Sequence, residues 1–130
     1  MKLSKWVLDA SALLALLQDE PGSDAVLDAV KEGAAISTVN LSETAAKLLE
    51  SGMSPADVRN ILDSIRMDVV EFDIDSAYAA ASLRLASRRY GLSIGDRCCL
   101  ALAAKLGLTA LTADKAWQEL GLSVNVRIIR

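Results

Sequence analysis

Seventeen acidic side chains and no histidine set the terms for any chemistry in this 130-residue chain. Histidine is the usual general base, so hydrolysis here needs another way to activate water, and a bound metal ion is the main candidate. Four carboxylates stand where such an ion could be held. Asp9 ends the apolar run Trp6-Val7-Leu8 where the pattern turns helical, and Glu43 follows the β-branched stretch Ala35 to Thr38. Asp96 opens the helix after Gly91, and Asp114 follows the run Thr109 to Thr112. Crowded carboxylates repel, and only protons or a divalent cation make the crowding tolerable. Hard oxygen donors without histidine or metal-spaced cysteines favour Mg²⁺ or Mn²⁺ over zinc.

A plainer explanation stands beside this one. Acids are favoured at helix N-termini, where they cap free N–H groups and oppose the helix dipole. Asn40-Leu41-Ser42-Glu43 has the form of a capping box, Ser93-Ile94-Gly95-Asp96 approximates one, and Asp114 suits the start of a short helix around Trp117. Asp9 differs, because Ser11 is the better cap for the helix that follows. That leaves Asp9 with no structural task, and a carboxylate ending an apolar strand costs desolvation unless something binds it.

The elements that must position these acids alternate strand with helix. Trp6 to Leu8 reads as a first strand and Ala12 to Leu17 as a short helix stopped by Pro21-Gly22. A second helix is expected from a Ser23 cap to Gly33, with Val26, Leu27 and Val30 on one face. Ala35 to Thr38 is the second strand. A helix from about Asn40 to Ser51 and another opened by Ser54-Pro55 form a hairpin. Val69 to Phe72 is a third strand, and Asp75 caps an alanine-rich helix running toward Tyr90. A helix from Ser93 to Leu106 leads to a fourth strand at Thr109 to Thr112, and Val124 to Ile129 closes the chain. This order calls for an α/β fold: a mostly parallel sheet of about five strands with helices on both faces. Asp9, Glu43 and Asp114 follow strands, so they share one sheet edge, where α/β folds place their ligands. Asp96 reaches that edge if its helix runs antiparallel to the strands.

Length and composition agree with one domain over residues 1–130, at 52% hydrophobic and 24% charged residues with two prolines. The apolar run Leu13 to Leu17 is too short to span a membrane, and no signal-peptide pattern opens the chain, so a soluble cytoplasmic protein is expected. Cys98 and Cys99 are adjacent and read as buried, reduced thiols. A net charge of −3 argues against a nucleic-acid partner until the four site acids are neutralised, when the remainder turns slightly positive. Arg97 and Lys115, each directly after a site acid, are then placed to contact phosphate. Arg88 and Arg89 before Gly91 are further candidates to contact phosphate, Arg84 reads rather as part of a solvated basic face, and Tyr90 and Trp117 read as packing residues.

Val7-Leu8-Asp9-Ala10-Ser11-Ala12-Leu13, Leu41-Ser42-Glu43, Gly91-Leu92-Ser93-Ile94-Gly95-Asp96 and Leu111-Thr112-Ala113-Asp114 resemble, in order and spacing, the four motifs of PIN-domain ribonucleases. The resemblance is strongest to the VapC toxins of toxin–antitoxin pairs and covers nearly the whole chain. It implies that Asp9, Glu43 and Asp96 bind metal, that Asp114 completes the site, and that Ser11 and Thr112 stand beside it. It implies Mg²⁺- or Mn²⁺-dependent endonucleolytic cleavage of RNA, a homodimer, and a VapB-like antitoxin as partner. Two other classes compete. A receiver-like phosphotransfer domain needs adjacent acids at the first strand, where Asp9 stands alone, and a haloacid-dehalogenase-type site needs an acid where Ser11 stands. A PIN fold retained only for binding is the other alternative.

Overall fold

The computed structural model describes residues 3–130. Those residues form one parallel sheet from β1 (Trp6–Leu8), β2 (Ala34–Ser37), β3 (Asp68–Val70), β4 (Thr109–Thr112) and β5 (Val126–Ile128), in the order β3-β2-β1-β4-β5. Six α-helices cover it: α1 (Ala10–Leu17), α2 (Ser23–Glu32), α3 (Thr38–Glu50), α4 (Pro55–Ser64), α5 (Ile74–Ala86) and α6 (Ile94–Leu106). Two 3₁₀ segments, Arg88–Tyr90 and Lys115–Glu119, complete the elements.

Alternation along the strands divides the core in two. Leu8, Ile36 and Leu111 lie side by side on one face, where Leu13, Val26, Leu48, Val58 and Leu62 of α1 to α4 cover them. Val7, Ala35 and Ala110 point the other way, against Cys99, Leu100 and Ala103 of α6 and against Trp117. Small strand residues on that second face let α6 approach the sheet closely. Helix α5 lies outside α6 and packs through Ala80 and Leu83 onto Cys98 and Ala101.

The strand order places the site. From β1 the chain builds outward through β2 to β3, then returns to lay β4 and β5 on the other side. That reversal beside β1 is a topological switch point, and the crevice beyond the carboxyl ends of the strands is the usual ligand position. Gly107 ends α6 in the left-handed conformation at φ 68°, which turns the chain into β4 within two residues.

Several helix starts differ from the sequence reading. Helix α3 begins at Thr38 under a Ser37 cap, so Asn40-Leu41-Ser42-Glu43 is helix interior and not a capping box. Asp73, not Asp75, caps α5, which ends at Ala86 before the 3₁₀ turn to Tyr90. Ser23 is the first residue of α2, and its N-cap is Gly22. In each case more than one nearby residue suits the cap, and tertiary packing chooses between them.

Candidate active site

Asp9 ends β1 and is itself the N-cap of α1: its Oδ1 accepts a hydrogen bond from the Ala12 N–H at 2.8 Å. Ser11 does not take that role, contrary to the sequence expectation. Its hydroxyl is committed elsewhere, donating to Asp9 Oδ1 at 2.7 Å and accepting from the Ala113 N–H at 2.9 Å. Thr112, at the end of β4, donates from Oγ1 to Asp9 Oδ2 at 2.5 Å and accepts from the Asp114 N–H at 3.1 Å. The two hydroxyls, 3.3 Å apart, thus lace β1 to β4 across the switch point.

Burial makes Asp9 unusual. It is 5% exposed, and desolvation lifts its pKa to about 6 despite three hydrogen bonds that favour the charged form; the charge of Asp96 adds to the rise. Asp96 is in the first turn of α6, locked in a capping box in which Ser93 Oγ accepts from its N–H and its own Oδ2 accepts from the Ser93 N–H at 3.0 Å. Glu43 projects from α3, and its Oε1 accepts from Asn40 Nδ2 at 2.8 Å. The same nitrogen donates to the Gly95 carbonyl at 3.0 Å, which joins α3 to the start of α6.

Gly95 stands at a close approach. A Cβ there would overlap the carboxylate of Glu43. Glu43 therefore lies against the start of α6, one residue from Asp96, and Cys99 stands on the same helix. Its thiol, fully buried, is pushed well up, first by desolvation and then by Asp9, Asp96 and Glu43 among the neighbouring charges. Cys98 and Cys99 are both free thiols.

Asp114 joins through the backbone. Its N–H reaches Thr112, while its own Oδ1 accepts from the Ala116 N–H at 3.0 Å and caps the 3₁₀ segment that carries Trp117. Lys115 beside it is exposed. Arg97 turns toward α5, where Nη1 donates to the Ala80 carbonyl at 3.1 Å. Tyr90 and Trp117 pack against the second core, and the Tyr90 hydroxyl donates to the Glu119 carbonyl.

The donor set suits a hard cation. All four acids and both hydroxyls offer oxygen, and buried Asp9 holds a charge its hydrogen bonds do not fully compensate. Among the described residues no three acids stand close enough to enclose one ion as they are. Asn40 and Gly95 were not picked out by the sequence as site residues. The available signal was an Asn three positions before a Glu within a helix, and a glycine inside the first turn of another.

Comparison with known proteins agrees with this geometry. Residues 6–122 match the family model described as PIN domain. Among solved structures, a DNA-bound VapBC complex from Salmonella typhimurium aligns at TM-score 0.76 with 16% identity, over 98% of this chain and 100% of that one. A toxin–antitoxin complex from Klebsiella pneumoniae aligns at 0.75 with 19% identity, over 97% and 98%. VapBC-5 from Mycobacterium tuberculosis aligns at 0.60 with 26% identity, over 98% and 99%. No curated protein matches the chain at a significant level. The five-stranded parallel sheet, the acids at its switch point and a family match from Trp6 to Leu122 lead to one conclusion: the chain belongs to the PIN-domain family.

Proposed function

We propose that this chain is the toxin of a toxin–antitoxin pair, a metal-dependent endoribonuclease that hydrolyses RNA phosphodiester bonds in the cytoplasm. One observation carries the reading: the Glu43 carboxylate lies against the backbone of Gly95, next to Asp96, at the same carboxyl edge of the sheet where Asp9 is laced to β4. Capping accounts for Asp9, Asp96 and Asp114 singly, but not for Glu43, and it gives no reason for all four to stand at one edge.

Asp9, Glu43 and Asp96 would hold Mg²⁺ or Mn²⁺, with Asp114 completing the set. Such an ion supplies an activated water and offsets charge on the phosphate. The chain's own contribution is orientation. Ser11 and Thr112 fix both oxygens of Asp9 before any ligand arrives, so little reorganisation remains to be done on binding. Exposed Lys115 would contact the phosphate, and Arg97 would join it only by giving up its bond to Ala80. The VapBC complexes among the solved neighbours support a VapB-like antitoxin as partner. A homodimer is the proposed form of the free toxin.

Calorimetric titration with Mn²⁺, paired with mapping of RNA ends after cleavage, tests this. The wild type should take up Mn²⁺ and cut RNA only when it is present. Asp9→Asn and Asp96→Asn should each lose more than ~100-fold in cleavage, since outer-shell losses alone cost 10–100-fold at metal sites. No uptake by the wild type, or uptake unchanged in both variants, would leave the chain a PIN fold retained for binding.

A further inference from the structure

We infer that Asn40 is a positioning residue, which seats the Glu43 carboxylate by clamping α3 to α6; this rests on the site reading above. Asn40 is 1% exposed, although its place in the first turn of α3 would let a polar side chain reach water. Its Nδ2 is used twice, on Glu43 Oε1 at 2.8 Å and on the Gly95 carbonyl at 3.0 Å. Both partners are acceptors, so the amide nitrogen must face them and the flipped side chain is excluded.

That orientation leaves Asn40 Oδ1 buried without a partner. A buried unpaired carbonyl is a standing cost that a leucine would avoid, so packing alone gives no reason for asparagine here. What the cost secures is the carboxylate. Among the described residues, Asn40 is the hydrogen-bond donor to Glu43. Opposite it, Gly95 offers a bare backbone wall against which the carboxylate lies. The amide also does what a charged donor could not: it holds the acid without neutralising it, which keeps Glu43 available as an anionic ligand. The clamp reaches α6 one residue before Asp96, so it sets the spacing of two acids at once.

The test is a double-mutant cycle read by Mn²⁺ calorimetry. Asn40→Leu should bind Mn²⁺ about 10–100-fold more weakly than the wild type, the usual loss for an outer-shell partner. In a Glu43→Ala background the same substitution should change affinity less than about 2-fold, because the residue it acts through is gone. Asn40→Ala repeats both arms should leucine prove too bulky to fold, and circular dichroism checks the helices of each variant. Equal affinity of Asn40→Leu and the wild type overturns the inference while leaving the metal site intact. An equal loss in both backgrounds also overturns it, since Asn40 would then act on the fold and not on Glu43. A wild type that takes up no Mn²⁺ removes the site reading and this inference with it.

Discussion

At the scale of single residues, Asp9 links the site to stability. Its carboxyl titrates near 6 in the folded chain against 3.8 when unfolded. Between those values the folded state keeps a proton that the unfolded state has released, so stability falls as pH rises through that window. Above it, the ionised buried carboxylate costs on the order of 3 kcal/mol in the metal-free protein. Asp9→Asn should therefore melt higher than the wild type by about 5 °C or more at neutral pH in chelator, with the difference gone below pH 4. Added Mn²⁺ should reverse the order, since only the wild type gains binding energy. A melting difference independent of pH would show that burial of this charge is not felt. The acid itself was legible in the sequence as the end of an apolar run. Its capping role was not, because Asp9 and Ser11 both suit a cap. The Ala113 N–H that claims Ser11 is 102 residues away in the chain.

At the scale of elements, local signals served well and crossings did not. Strand β4 runs over the expected Thr109–Thr112, α4 opens on Ser54-Pro55, and the Ser93 to Asp96 box forms as its spacing suggests. Each is decided within a few residues. The α3–α6 crossing is decided by Asn40 and Gly95, 55 positions apart, and no local pattern marks it. Gly95→Ala separates what this crossing does for the fold from what it does for the site. Replacing glycine inside a helix normally gains up to about 1 kcal/mol. Here the atoms nearest the new Cβ are the carboxylate end of the flexible Glu43 side chain, which can swing away. Urea unfolding should show a protein at least as stable as the wild type, while Mn²⁺ affinity drops. A variant that is destabilised but binds Mn²⁺ normally would mean that the crossing serves packing alone.

At the scale of the whole molecule, Asp9, Glu43 and Asp114 come to one edge of the sheet because its order puts β1 between β2 and β4, and hydrophobic periodicity does not carry that order. The alanine-rich α5 leaves Ile74, Tyr78 and Leu85 at 77%, 75% and 72% exposure, on one stripe turned away from the core. The homodimer proposed above would pair through this stripe. Antiparallel two-fold pairing sets Ile74 of one protomer opposite Leu85 of its partner, with Ala81 near the axis for close approach. It also brings the acidic end, Asp73 and Asp75, beside the basic end, Arg84 and Arg88, on each side. Three such side chains expose about 400 Å² per protomer, so flanking alanines and arginine stems must contribute to reach the ~1,200 Å² of a stable interface. Sedimentation of the chain alone should give twice 13.8 kDa, and Leu85→Asp should return it to the monomer with its helices unchanged. Ala81→Cys should cross-link to itself under mild oxidant, because the native thiols Cys98 and Cys99 are buried and cannot compete. A wild type that sediments as a monomer, or a dimer that survives Leu85→Asp, would assign the stripe to another partner, with the antitoxin the first to test.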